Sequence, residues 1–145
     1  MTAIETSILI NRPVEEVFAF AADTEKIALW AGAVTEAKQT SEGPVGVGTT
    51  SNRVTQLLGR RLESSNVVTE YQPNSRYSAK VTSGPVPLEE HLSFEAVQGG
   101  TRVTLAVDTE AAGFFKLAAP ILTRIISRQV ENDVETLKDL LEAKT

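Results

Sequence analysis

The last third of the chain, residues 113–145, constrains the fold more than any other stretch, because its pattern predicts one long helix. Its apolar residues recur every three to five positions, as on one face of an α-helix. A continuous helix over residues 114–143 would be about 45 Å long, and so long a stripe needs a large surface to cover it. Pro120 lies inside the pattern and predicts a kink or a broken first turn. The stripe comprises Phe114, Leu117, Ile121, Ile125, Val130, Val134, Leu137 and Leu141.

The residues before this helix predict mostly short strands. Residues 3–11 alternate between apolar and polar side chains, which is strand periodicity. Pro13 then suits the start of a helix, and Asp23 can cap a second short helix that ends at Trp30. Six further strands are predicted at residues 33–40, 49–57, 61–71, 76–83, 87–97 and 101–111, separated by glycine and proline turns. The connections between them are short, so neighbouring strands are expected to pair antiparallel.

These elements predict an α+β fold in which a curved seven-stranded antiparallel sheet wraps around the C-terminal helix. Two short helices follow the first strand, and residues 1–145 form a single domain. A curved sheet covered by only one helix rarely closes tightly at both ends. We therefore expect a cavity between them, apolar with a few polar groups.

Composition excludes several classes of function. The net charge of −5 argues against a nucleic-acid-binding surface. The absence of cysteine excludes disulfides, a thiolate nucleophile and a cysteine-based metal site. No apolar stretch approaches the roughly 20 residues that span a bilayer, and the N-terminus lacks the features of a signal peptide. A cytoplasmic protein without a membrane span is the expectation.

Four segments of the chain resemble the helix-grip superfamily, which includes Bet v 1-like, START-like, polyketide cyclase and lipid-transport proteins. They are RPVEEVFAFAADTEKIALW, GPVGVGT, VVTEYQPNSRY and AAPILTRIISRQVENDVETLKDLLEA, in this order along the whole chain. The resemblance implies a hydrophobic ligand cavity. It implies no particular reaction, because members of the superfamily bind varied ligands and only some catalyse.

Glu90 is the sharpest candidate for a functional residue. Strand alternation places it on the inner face of the sheet with Leu92 and Phe94. A buried carboxylate there has a raised pKa or pairs with a cation such as Arg53, and it could anchor a ligand or act as an acid or base. The alternative is that Glu90 lies at the wet rim of the sheet.

Other candidates follow from the same alternation. Tyr77 is expected to point inward, where its hydroxyl needs a partner, either in the core or on a ligand. Trp30 either stacks on a flat ligand or packs at the cavity mouth. Of Asn52 and Arg53, one faces the cavity, and Asn52 fits the phase of Thr50 and Val54. The predicted ligand-contacting residues are Trp30, Asn52, Arg53, Tyr77, Glu90, Phe94, Phe114, Leu117, Ile121 and Ile125.

His91 is the only histidine, so any histidine-dependent catalysis or metal site would have to use it. The alternation places it on the outer face with Glu89, Ser93 and Glu95, where a surface role is favoured. No metal and no cofactor are predicted.

Three hypotheses about function remain open. The first is a binding module that holds a hydrophobic or aromatic small molecule in the cavity. The second is an enzyme resembling a polyketide cyclase or dehydratase, with Glu90, Tyr77 and Arg53 as polar groups. The third is an interaction protein that docks on a partner or a membrane surface through an apolar patch near Phe114, which could act as a gate or belong to the core. The expected partner is a hydrophobic small molecule and not a nucleic acid, and a homodimer is left open.

Overall fold

A computed structural model describes residues 2–116 and 119–143 of the chain. It contains seven strands and four helices in these ranges. The strands are β1 (Thr2–Ile10), β2 (Val34–Gln39), β3 (Thr50–Leu57), β4 (Arg60–Gln72), β5 (Arg76–Ser83), β6 (Leu88–Val97) and β7 (Gly100–Thr109). The helices are α1 (Val14–Ala21), α2 (Ile27–Trp30), α3 (Ala111–Phe115) and α4 (Ala119–Glu142).

The strands form one sheet in the order β1-β7-β6-β5-β4-β3-β2. All six pairings are antiparallel, and only the contact between β1 and β7 joins strands that are distant in sequence. Irregularities in register occur in β2 and at two points in β4. Such bulges increase the local twist, and they lie in the half of the sheet that wraps around the cavity. The predicted α+β helix-grip architecture is confirmed.

Tight hairpins join the strands where the sequence predicts turns. Leu58 and Gly59 both have positive φ, 51° and 76°, in the two-residue turn between β3 and β4. This backbone geometry matches the twist of the flanking strands. Gly99 has φ 87° and is the second residue of the two-residue connection from β6 to β7. Short turns of this kind require consecutive strands to be neighbours in the sheet.

The two short helices after β1 form as predicted. Pro13 precedes α1 as its N-cap, and Glu15 and Glu16 occupy its first turn, where carboxylates are stabilised by the helix dipole. The Asp23 carboxylate accepts backbone hydrogen bonds from Glu25 and Lys26 ahead of α2. These bonds direct the chain into α2 and place Trp30 under the sheet.

The C-terminal stretch forms two helices where the sequence predicts one. The short helix α3 ends at Phe115, and Pro120 is the second residue of α4, where proline is tolerated because the first helical N–H groups have no intrahelical partner. With 24 residues, α4 is about 36 Å long. None of the described helices is both long enough and apolar enough to cross a bilayer.

The C-terminal end of α4 is fixed against β1. The Arg12 side chain donates hydrogen bonds to the carbonyl oxygens of Leu141 and Glu142, and the backbone N–H of Asn11 donates to the Glu142 carboxylate. Lys138 Nζ donates to the carbonyl of Leu9 at 2.7 Å. The part of α4 that lines the cavity is its middle, from Ile126 to Asp133.

The prediction that Ile121 and Ile125 lie on the buried stripe of the helix is wrong. Their exposed fractions are 60% and 41%. The sequence has two adjacent apolar pairs, Ile121-Leu122 and Ile125-Ile126, and the second member of each pair faces the sheet. Successive residues are about 100° apart around the helix. A stripe drawn through the first member of each pair therefore faces solvent at this end of the helix. The buried residues of α4 are Leu122, Val130, Asp133, Val134, Leu137 and Leu141.

Candidate functional site

A cavity of about 170 Å³ lies between the inner face of the sheet and α4. Strands β3 to β7 form its curved wall, while α2 and the middle of α4 close it. The lining is predominantly apolar and includes Ile27, Leu62, Leu105, Val107 and Val130. It therefore has the composition of a small-molecule site.

A larger concavity of about 880 Å³ lies along β2, β3 and β4. It is open and lined by many charged and hydroxyl side chains, among them Glu36, Lys38 and Glu63. An open polar groove buries little of a small ligand, whereas binding sites enclose most of a ligand's surface. The smaller, deeper and more apolar cavity is therefore the better candidate site.

A buried ion pair is set into the cavity wall. Arg53 on β3 and Glu90 on β6 are only 6% and 7% exposed, and Arg53 Nη2 donates to Glu90 Oε1 at 2.6 Å. Two strands separate β3 from β6, so in a flat sheet their backbones would be about 14 Å apart. The contact is made because the sheet curls around the cavity, and it ties the two sides of the curl together.

The surroundings of this pair keep Arg53 charged. Burial disfavours the charged guanidinium, but the Glu90 carboxylate and the neighbouring Tyr77 hydroxyl outweigh it and raise the pKa of Arg53 above its usual value. Burial also raises the pKa of Tyr77, and the negative charge of Glu90 adds to this effect. Tyr77 is therefore a neutral hydroxyl at physiological pH.

Asp133 on α4 contributes a second buried carboxylate to the cavity lining. Its Oδ1 accepts hydrogen bonds from the Gly32 backbone N–H at 2.9 Å and from Gln129 Nε2 at 2.8 Å. Burial raises the pKa of Asp133 to about 6, with a further contribution from the charge of Glu90. A Cβ at position 32 would lie 2.8 Å from Gln129 Nε2, so a larger residue there would displace the end of the Gln129 side chain that donates to Asp133.

Two buried N–H groups at the cavity have no hydrogen-bond partner within the described part of the chain. They are Nε1 of Trp30 and Nε of Arg53, and both residues line the cavity. An unpaired buried donor costs about 1–3 kcal/mol. Two residues of the predominantly apolar lining therefore each carry one unpaired hydrogen-bond donor.

The structure brings together three of the residues that the sequence predicts as ligand contacts, Trp30, Arg53 and Glu90. Tyr77 lies behind them and interacts with Arg53. Tyr77 and Phe94 belong to an aromatic cluster in which Phe18 packs edge-to-face on Phe94 and on Tyr71, with ring centroids 5.0 and 5.3 Å apart. This cluster fills the part of the concave face under α1, so neither Tyr77 nor Phe94 lines the cavity.

The prediction that Asn52 faces the cavity is wrong. Asn52 is exposed and lines the open groove, while Arg53 points inward. The preference for Asn52 rests on strand alternation, which places Asn52 on the same face as the apolar Val54, and that face is the one predicted from the sequence to line the cavity. Val54 is buried on the outer side instead, and the inner face accepts the charged Arg53 because Glu90 neutralises it.

The remaining apolar candidates lie away from the cavity or outside the described residues. Phe114 is half-buried on α3, packed edge-to-face against Phe115 with ring centroids 4.9 Å apart. The Arg60 guanidinium lies 4.8 Å from the Phe114 ring centroid. Leu117 lies outside the described residues, and the exposed Ile121 and Ile125 do not line the cavity.

His91 lies on the outer face of the sheet, where the sequence places it. Its Nδ1 is 2.9 Å from the Ser78 hydroxyl, and its Nε2 is 3.6 Å from Glu89 and 3.9 Å from Asp108. This partly buried group is separated from the cavity by the sheet itself. It takes no part in the candidate site.

The sequence analysis missed Asp133, Gln129 and Ile126, all of which line the cavity. For Asp133 a signal existed. It occupies a position three residues after Val130 and four before Leu137, so a carboxylate interrupts the buried stripe. A charged residue at a core position of an amphipathic helix marks a site with a buried partner, here the N–H of Gly32.

The fold is similar to those of several solved structures. A START superfamily protein from Mycobacterium smegmatis superposes with a TM-score of 0.82 at 13% identity, covering 99% of each chain. The protein TTHA0849 from Thermus thermophilus gives 0.81 at 18% identity and 99% of each chain. The Zhui aromatase/cyclase from Streptomyces sp. R1128 gives 0.79 at 15% identity, covering 97% of this chain and 93% of that one.

No curated protein matches the chain by sequence. The family described as polyketide cyclase / dehydrase and lipid transport matches residues 1–142. The match covers nearly the whole chain and agrees with the helix-grip fold, so the chain belongs to this polyketide cyclase / dehydrase and lipid transport family.

Proposed function

We propose that the protein binds a small hydrophobic molecule, of about one aromatic ring and bearing a polar substituent, in the cavity between the sheet and α4. The observation that carries this proposal is an apolar cavity with the Arg53–Glu90 pair in its wall. A buried ion pair facing empty apolar space contributes little to stability compared with an apolar core. Orienting a ligand would give the pair a role in binding.

The volume of the cavity limits the size of the ligand. An apolar cavity of about 150 Å³ in another protein accommodates benzene, and the volume here is about 170 Å³. A single ring with a short substituent fits, whereas a fused multi-ring substrate or a long acyl chain requires the cavity to widen. Single-ring ligands are therefore the first to test.

The polar groups of the wall indicate the kind of substituent. Arg53 and Trp30 each carry an N–H group without a hydrogen-bond partner among the residues described. An oxygen acceptor on the ligand, such as a phenol, carbonyl or carboxylate oxygen, would satisfy one of these donors after a small side-chain adjustment. Glu90 keeps the pair neutral, so a neutral acceptor is favoured over a carboxylate.

A second candidate function is catalysis of a cyclase or dehydratase type, as in the Zhui aromatase/cyclase, which has the same fold. Asp133 favours it, because a carboxyl group with a pKa of about 6 in an apolar cavity can both donate and accept a proton near neutral pH. The earlier candidates fit this role less well. Glu90 is engaged by Arg53, and the raised pKa of Tyr77 keeps it protonated.

Trp30 provides the readout for an experiment, since it is the sole tryptophan and lines the cavity. We expect saturable changes in its fluorescence on titration with phenol, anisole and benzaldehyde, and weaker changes with cyclohexane. Native mass spectrometry of protein purified from its own host would identify a retained molecule.

A cavity-filling variant separates cavity binding from surface binding. Val81→Phe places a ring in the lining, whereas Val67→Phe makes the same change at a half-buried position outside it. The proposal predicts that Val81→Phe weakens binding of phenol at least tenfold while Val67→Phe leaves it unchanged. Equal binding by both variants, or no saturable binding by the folded wild type, would refute it. Turnover of a substrate that is lost in Asp133→Asn while affinity persists would favour the enzyme instead.

A further inference from the structure

One end of the molecule carries a basic and apolar surface that the ligand cavity does not account for. We define it as the docking surface, formed by the β3–β4 turn, α3 and the outward face of the first turns of α4. Its cations are Arg60, Lys116, Arg124 and Arg128, and its exposed apolar side chains are Leu58, Ile121 and Ile125.

The charge of this end differs in sign from that of the whole protein. Residues 111–130 contain three basic residues and no acidic one, although the chain has a net charge of −5. The outward face of α4 then changes character, because Glu131, Glu135 and Asp139 are exposed farther along the helix. The outward face of α4 is thus basic in its first half and acidic in its second half.

The cations of the docking surface are available to an external partner. Among residues 2–116 and 119–143, no carboxylate pairs with Arg60, Lys116, Arg124 or Arg128. Arg60 instead lies over the rings of Phe114 and Phe115, at 4.8 and 5.6 Å from their centroids, and so joins the β3–β4 turn to α3.

The same end of the molecule borders the cavity. Leu57, next to the β3–β4 turn, and Ala111, the first residue of α3, both line it, as does Ile126 in the second turn of α4. A molecule passing between α3, α4 and the β3–β4 turn would cross the docking surface directly. Part of the cavity lining therefore lies beside the basic, apolar surface.

We propose that this end docks on an anionic membrane surface, so that an apolar ligand can pass between the bilayer and the cavity. The proposal rests on the ligand-binding function proposed above. Basic side chains around exposed apolar ones are the combination that binds anionic bilayers, by attraction to lipid headgroups and by shallow burial of the apolar groups. Because the net charge of the chain is −5, attraction to an anionic bilayer has to come from a local basic surface such as this one.

Vesicle flotation tests the proposal with the full chain. The protein is expected to float with vesicles of equimolar phosphatidylcholine and phosphatidylserine and to remain free with phosphatidylcholine alone. Binding should weaken as salt increases, because screening reduces the attraction. Wild-type protein that does not float with either vesicle would overturn the proposal.

Matched variants locate the surface. Arg124→Glu with Arg128→Glu should weaken vesicle binding at least about tenfold, since each basic residue contributes measurably to adsorption on an anionic surface. Arg76→Glu with Lys80→Glu makes the same change of charge at exposed positions of β5 and should have a much smaller effect. Equal losses in both pairs would show that net charge alone acts, and would overturn the assigned location.

Ile121→Gln with Ile125→Gln tests the apolar contribution. Both residues are exposed, so the fold should be unaffected, and vesicle binding should fall several-fold. These isoleucines could instead hold two copies of the chain together. Sedimentation would then show a dimer for the wild type and a monomer for the double variant, and neither protein would bind vesicles. That result would overturn docking. Phenol titration of the same variants by Trp30 fluorescence keeps the two proposals distinct, because cavity binding should persist whether or not vesicles bind.

Discussion

The buried pair of Arg53 and Glu90 gives a prediction whose size follows from the structure. Their charged groups touch at 2.6 Å between Nη2 and Oε1, and both side chains are buried. With about 4 Å between the centres of charge and an effective dielectric constant of about 20, the attraction is about 4 kcal/mol. Arg53→Met leaves the Glu90 carboxylate buried without its cation, and Glu90→Leu does the converse. Each single variant should lose about 3–5 kcal/mol of unfolding free energy.

The double variant Arg53→Met with Glu90→Leu removes both charges at once. Apolar side chains of similar volume commonly replace a buried pair without loss, so the double variant should be far more stable than the sum of the single effects implies. Urea unfolding at neutral pH, followed by far-ultraviolet circular dichroism, measures all four proteins. The expected coupling energy is about 3 kcal/mol or more.

An exposed pair supplies the control for this cycle. Arg102 and Glu95 lie 3.8 Å apart on neighbouring strands, with 49% and 69% of their side chains exposed. The same substitutions there should show a coupling energy below about 1 kcal/mol. If the Arg53 and Glu90 effects are additive, or if each single variant loses less than about 1 kcal/mol, the pair is not a buried contact and the geometry of the cavity wall is wrong.

Two further predictions concern α4. Leu137→Ala should cost about 2–5 kcal/mol of unfolding free energy because Leu137 is fully buried, whereas Leu140→Ala, at a position 37% exposed, should cost much less; similar losses in urea unfolding would show that the buried stripe is misplaced. Asp133 has its pKa raised from 3.8 to about 6, so the folded state binds its proton more tightly and stability is lost as pH rises between these values. Asp133→Asn removes the charge and keeps an oxygen acceptor for the Gly32 N–H. The variant should flatten the dependence of stability on pH and leave stability at neutral pH equal or higher. A loss above about 1 kcal/mol of unfolding free energy at neutral pH would mean that the charge stabilises the fold.

The sequence predicts the fold more fully than it predicts the site, and particular residues show why. Strand alternation and glycine turns are local signals, so the seven strands appear close to their predicted bounds. The orientation of Asn52 and Arg53 is not local, because it depends on Glu90, which lies 37 positions away along the chain. The inward orientation of Arg53 can be predicted only when Glu90 is known to be its buried partner.

The helix shows a second kind of ambiguity. The doublets Ile121-Leu122 and Ile125-Ile126 satisfy helical spacing in either of two phases, and only the packing against the sheet selects one. Asp133 could have been identified as a buried carboxylate from its place in the stripe, but its partner is a backbone N–H of Gly32, a kind of contact that side-chain patterns do not reveal.

The central claim is that the cavity between the sheet and α4 holds a ligand of one ring. A crystal structure of the protein soaked with para-bromophenol tests it directly, because the anomalous scattering of bromine locates the molecule independently of any assumed pose. The account predicts a single strong bromine peak inside the cavity bounded by Trp30, Leu105 and Val107, with the hydroxyl oxygen within hydrogen-bond distance of Arg53. Bromine peaks confined to the open groove beside Asn52, or absent from the protein altogether, would contradict it.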